Sequence, residues 1–152
     1  MTCRIYCRKE LVEMKNELQE QLFTRFPWTR PDESDTMSNY TRYQLDCGDG
    51  WFQLLWDLFT EIESLYQSRD TEIQLTIRQV KQKFGSLTVY IQYGLPEVYE
   101  IVNRYQKLSE TVCEGCAIES SIQQRNYYFS TLCDPCYKIK LQSRARLGRN
   151  EG

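Results

Sequence analysis

Cys113 and Cys116, followed after sixteen residues by Cys133 and Cys136, form two C-x2-C pairs in a chain of 152 residues without a histidine. Each C-x2-C turn aims two sulfurs at one point, and the gap is long enough for a hairpin to bring the pairs together. The spacing predicts one tetrahedral Zn(Cys)4 site. A closed four-thiolate shell leaves no position for substrate water, so the expected Zn2+ is structural and not catalytic.

Two disulfides are the competing use of four cysteines, and they require an oxidising compartment. The first fifteen residues carry Glu10 and Glu13 and lack an uninterrupted apolar run, which predicts neither a signal peptide nor a membrane anchor. The richest apolar stretch, Trp51 to Phe59, is interrupted by Gln53 and Asp57 and is too short to span a bilayer. Seven cysteines is also an odd number for a complete disulfide framework. A cytoplasmic protein with no membrane partner is expected.

A chain of this length buries about 70% of its unfolded surface, so most of it needs no metal to fold. The cysteine-rich end is different. Residues 113–152 carry few aliphatic side chains and depend on the binding free energy of the ion. The expected organisation is an α+β domain over 1–112 and a zinc module over 113–152.

Charge weakens the DNA-binding role that a zinc finger invites. The chain has 19 basic and 21 acidic residues, a formal net charge of -2. Four thiolates around one Zn2+ bring that total to about -4. Local basic excess is confined to Arg125, Lys138, Lys140, Arg144, Arg146 and Arg149, which are the candidate nucleic-acid contacts if such binding occurs.

Apolar spacing lays out the domain. Leu11, Met14, Leu18, Leu22 and Phe26 recur every three or four residues, predicting a helix from about Arg8 to Phe26 that Pro27 ends. Residues 27–50 are mostly polar and long for a connection, a functional or partly disordered loop with a short strand near Tyr40 to Leu45. Asp49 is placed to cap a second, central helix from Trp51 to about Gln67. Alternation over Ile73–Ile77 and Leu87–Tyr93, joined by VKQKFGS, predicts an antiparallel hairpin. Pro96 opens a third helix with Val98, Ile101, Val102, Tyr105 and Leu108 on its stripe.

In the zinc module, RNYYFSTLCDPC reads as a β-arm and YKIKLQSRARLG as a short helix closed by Gly148. A knuckle, a hairpin and a helix bearing the last two ligands resembles a treble-clef finger of the GATA type, on the strength of LCDPCYKIK. A wider likeness rests on LDCGDGWFQLLWDLFTEIE, IRQVKQKFGSL and the CEGC and LCDPC pairs, over residues 45–136. In that order they are similar to a family of small proteins from bacteria and their phages. The resemblance implies a phage or bacterial origin and a shared zinc-bearing α+β fold, with no activity attached.

Cys47, within DCGDGW, stands just ahead of a predicted helix, where a thiol can be activated and two acids with two glycines can shape a ligand pocket. With no histidine to serve as base, a tight turn is the favoured reading. Cys3 and Cys7 share a helical face and read as ordinary buried thiols instead of a second metal site. Trp28, Arg30, Tyr40, Arg42 and Tyr43 combine aromatic and guanidinium groups in or beside the loop. They are the candidates for a protein partner, or for stacking a nucleotide or other small ligand.

The sequence therefore predicts an α+β fold of three helices and a hairpin with a C-terminal treble-clef Zn(Cys)4 module. It predicts a non-enzymatic protein-interaction or regulatory role, of which inhibition of a host system is one form. Nucleic-acid binding and small-ligand sequestration are the alternatives.

Overall fold

A computed structural model describes residues 13–150, with side chains to 145. Helix α1 (Asn16–Arg25) ends one residue before the Phe26–Pro27 junction, and a 3-10 turn over Pro27–Thr29 redirects the chain. The predicted start at Arg8 lies outside the described residues. Leu22, Phe23 and Phe26 are buried from this segment, as the three-to-four spacing requires.

The stretch 27–50 is folded against the core, which corrects the expectation of partial disorder and leaves that of a functional loop untouched. It contains α2 (Asn39–Tyr43) and β1 (Leu45–Asp46), so most of the segment read as a short strand is helical. Tyr40 drives the arrangement: its ring is buried and its hydroxyl donates to the Thr29 carbonyl oxygen. Gln19 of α1 closes the other side. Its amide nitrogen donates to Met14 O, and its Oε1 accepts from Leu45 N–H. Periodicity cannot see such polar ties, because they join single residues far apart in sequence.

A 3-10 turn over Asp49–Trp51 leads into α3 (Phe52–Ser68), which is central as expected. Trp51, Leu55, Leu58, Phe59 and Ile62 are fully buried. Phe26 packs edge-on against Phe59 and Trp56, and Trp28 edge-on against Phe59, in the geometry aromatic quadrupoles favour. Asp49 does not cap this helix. Its carboxylate instead accepts from the backbone N–H of Lys15, the residue preceding α1, at 2.8 Å.

Strands β2 (Thr76–Lys83) and β3 (Ser86–Gln92) form the antiparallel hairpin, and β1 adds to β2 in parallel, giving the order β1-β2-β3. The sequence placed VKQK in the connection, whereas it belongs to β2. A register shift between Ile77 and Gln79 explains the difference, since Ile77 and Val80 are both buried although three residues apart. The bulge resets the alternation that a period of two looks for. The turn itself is only Phe84 and Gly85, both at positive φ.

Helix α4 (Pro96–Ser109) packs on α3 and β3. Ser109 Oγ accepts from Leu87 N–H, and Tyr99 OH donates to Ile91 O, so α4 also closes the outer edge of β3. The cysteine-rich end contains β4 (Gln123–Arg125), β5 (Tyr128–Ser130) and α5 (Asp134–Asn150). Helix α5 runs through Gly148 and does not stop there. The fold is mixed α+β, as read from the sequence, but has five α-helices among the described residues; the three expected in the domain are joined by α2 and by the helix of the cysteine module. No helix among the described residues is long and apolar enough to cross a membrane.

Candidate metal centre

Three local structures bring the four cysteines together. The first pair sits in a tight knuckle: Cys113 N–H donates to Ile118 O, and Ala117 N–H donates back to Cys113 O, with Ala117 in the left-handed region at φ 69°. The β4–β5 hairpin then returns the chain. Cys133 immediately precedes α5, and Cys136 lies in its first turn, where Tyr137 N–H donates to Cys133 O. Unpaired backbone N–H groups and the positive end of the helix dipole favour thiolates there.

The four Sγ atoms lie within 4.8 Å of one another. Cys116 Sγ and Cys133 Sγ are 3.7 Å apart, far beyond the ~2.05 Å of a disulfide. A tetrahedral ion with metal–sulfur bonds of about 2.3 Å separates its ligands by roughly 3.8 Å, which fits this spacing. The Cys113 thiol is drawn down to about 5, chiefly by its hydrogen bond with Cys136 and further by the backbone N–H groups of Cys133, Cys116 and Gly115. Burial works in the opposite direction without prevailing. A thiolate held by several donors is a ligand prepared for a cation.

The knuckle is clasped to the α+β core by the CGDGW turn, a contact that the sequence did not reveal. Gly50 N–H donates to Glu114 O at 2.7 Å, and Gly48 N–H donates to the Glu114 carboxylate at 3.0 Å. Trp51 Nε1–H donates to Val112 O. A Cβ on Gly50 would stand 2.1 Å from Cys113 O and 2.7 Å from the Glu114 carbonyl, so only glycine allows the two backbones to meet. Glu114 N–H in turn donates to Thr131 Oγ1, tying the knuckle to the segment that enters the second pair.

Burial sets the chemistry of this junction. Glu114 is pushed up to about 7 by desolvation, partly offset by the Gly48 N–H and the Lys140 charge. Lys140, also buried, is lowered to about 8 by desolvation, with its ammonium 3.5 Å from the centre of the Tyr128 ring. Cys47 is fully buried, and burial together with the nearby Glu114 pushes its thiol well above the ordinary range. A protonated, inaccessible thiol is a poor nucleophile.

The other sequence candidates divide into separate places. Trp28, Arg30 and Tyr40 line a cleft of about 360 Å³, together with Asp35 and Arg78, whereas Arg42 and Tyr43 line a different one of about 200 Å³ beside Gln19. Trp28 Nε1–H donates to Glu63, Arg30 is paired with Glu20 at 2.6 Å, and Arg42 Nε donates to Thr36 O. Tyr43 is exposed. Of the basic candidates, Arg125 turns inward to Leu132 O and Asp134, and Lys140 is buried. Lys138 and Arg144 are exposed on α5, while the side chains of Arg146 and Arg149 lie outside the described residues, as do Cys3 and Cys7.

Fold and site together define a mixed α+β protein with four cysteines gathered closely enough to hold one metal ion. Compared with known protein families, curated proteins and solved structures, the chain has no match.

Proposed function

We propose that the four cysteines hold one Zn2+ as a structural ion in a treble-clef-like module, and that the protein is a non-enzymatic binding or regulatory protein of the bacterial or phage-infected cytoplasm. The observation that carries this reading is the closed sulfur set clasped to the core through Gly50 and Glu114. All four ligand positions are filled by protein, so the ion has no open coordination site for chemistry. What the ion supplies when bound is rigidity: it fixes the knuckle and the amino end of α5 at one point, and the clasp passes that order to the start of α3.

The treble-clef reading rests on chain order, since a knuckle with the first pair, a hairpin and a helix with the second pair follow one another directly. The non-enzymatic reading rests on Cys47, whose buried, raised thiol removes the nucleophile that the sequence left open. Metal analysis of the purified protein tests the proposal, with one zinc per chain and none in a Cys113→Ser, Cys136→Ser variant as the expected result. Alkylation of Cys47 in the folded, metal-loaded protein should be negligible. Stoichiometric zinc with an exchangeable water ligand would contradict a closed structural site.

A further inference from the structure

Two hairpin tips each carry a large aromatic residue where turn geometry asks for glycine or asparagine. In β2–β3 the turn residues are Phe84 at φ 52° and Gly85 at φ 88°; in β4–β5 they are Asn126 at φ 50° and Tyr127 at φ 66°. Two-residue turns with both φ positive favour Asn-Gly, and a bulky side chain there is strained. Neither ring gains burial in return, because Phe84 is 69% and Tyr127 95% exposed. Strain with no packing benefit is the mark of a residue kept for contact with something else.

The β2–β3 tip packs on the flank of the β4–β5 hairpin. Phe84 meets Phe129 edge-on with ring centres 6.4 Å apart, Gln82 Nε2 donates to Phe129 O, and Gly85 sits against the Ile122 side chain. Charge indicates what this surface accepts. From Ile73 to Leu95, and again from Ser120 to Cys133, the sequence has no carboxylate, although the whole chain is net acidic. Both segments instead carry Arg78, Lys81, Lys83 and Arg125. Arg78 reaches toward Asp35, Lys81 pulls on the Asp46 carboxyl, and Arg125 turns to Asp134. Lys83 lies beside Phe84, its ammonium 3.4 Å from the Tyr90 hydroxyl. Glu110, which approaches the tip from α4, is held by Ser86 Oγ.

We infer that the β2–β3 tip and the β4–β5 hairpin on which it packs bind single-stranded nucleic acid, with Phe84, Tyr127 and Phe129 stacking on bases and Lys83 meeting a phosphate. Exposed rings beside cations, on hairpins with no carboxylate of their own, suit a polyanion with accessible base faces, whereas the paired bases of a duplex offer no such faces. This deepens the binding-protein reading by naming the partner class and moves the contact from the basic face of α5 to the hairpins. The metal matters here because the β4–β5 tip belongs to the cysteine module and the β2–β3 tip to the core.

Fluorescence anisotropy of the full, zinc-loaded chain with labelled 15-mers of dT and rU, against a duplex of equal length, tests the inference. Binding to the single strands is expected, with the duplex weaker. Phe84→Gly and Tyr127→Gly should each weaken it about tenfold. Because glycine relieves the positive φ, both variants should keep or raise the melting temperature, which separates lost contact from lost fold. Lys83→Gln should lower the slope of log K against log salt by about 0.7. Zinc content and melting temperature of the same samples report on the structural-ion reading separately. Folded, zinc-loaded protein without salt-dependent binding to either oligomer overturns the inference alone. So does binding lost with Lys138→Gln, Arg144→Gln but kept with the two glycine variants, or a protein partner captured in place of nucleic acid through the same aromatic residues.

Discussion

The α+β core and the cysteine module solve the problem of a stable interior by opposite means. The core buries aromatic and aliphatic side chains around α3, with Trp51, Phe26 and Phe59 among its largest fully buried groups. The buried apolar set of the module is little more than Leu132 with Cys113 and Cys136, and polar ties do the remaining work. Apolar packing loses stability gradually as groups are removed, whereas a four-ligand centre is lost nearly all at once. With an ion held by the four cysteines, graded and switch-like stability would coexist in one chain.

Stripping the metal should have the largest effect. Structural zinc sites of this kind bind with apparent free energies of about 10–16 kcal/mol. A strong chelator, or Cys133→Ser, is expected to remove exchange protection from amides in 113–136 while those of α3 and β2 stay protected; simultaneous loss in both regions would show that the two are not separable. Phe59→Ala probes the other side and should cost about 3–5 kcal/mol of core stability with zinc still bound. Denaturant melts with parallel metal analysis would check it.

Gly50→Ala attacks the junction, and its methyl group has nowhere to go beside Cys113 O. A loss of about 1–3 kcal/mol is expected, shared between a lower core melting temperature and weaker zinc retention. An effect on one region only would mean that the clasp does not couple them. The next effect is pH-dependent. Glu114 has its folded value raised from 4.5 to about 7, so the fold prefers it protonated. Its contribution is complete below 4.5 and lost as pH rises through 7. Relative to Glu114→Gln, the wild type should lose on the order of 1 kcal/mol between pH 6 and 8 in thermal melts. The smallest effect belongs to the exposed Glu61–Arg104 pair in the core, where hydrogen bonding to Arg104 lowers the Glu61 carboxyl. Arg104→Gln should cost less than about 1 kcal/mol, and the difference should vanish below the ordinary carboxyl value as Glu61 protonates.

Legibility in the sequence followed the range of the interaction. The four ligands, α3 and α4 were readable because spacing and periodicity are local. Strand β2 was legible only at Thr76 and Ile77, because Ile73–Leu75 lie before the strand and a bulge at Arg78, which only the pairing partner shows, breaks the alternation. The segment 27–50 was misread because its order comes from Tyr40 and Gln19 reaching residues elsewhere in the chain. Asp49 was placed on the wrong helix for the same reason: a cap was sought along the sequence, but its carboxylate serves Lys15 across space. The nearest sequence signal for the clasp was the pairing of two glycines around Asp49, which marks a close backbone approach without naming what approaches. The aromatic tips had a signal as well, in Phe-Gly and Asn-Tyr at the turns of the two hairpins.

The backbone bond from Gly50 to Glu114 also orders events in time. Everything between them, α3, the β2–β3 hairpin and α4, is one continuous run whose two ends must meet before that bond can form. Closing so long a loop early would carry a large entropic penalty with little to offset it. The run should therefore condense first, leaving the knuckle to dock on a surface already made. An ion held by Cys113, Cys116, Cys133 and Cys136, which span only 24 residues, would not have to wait for that docking.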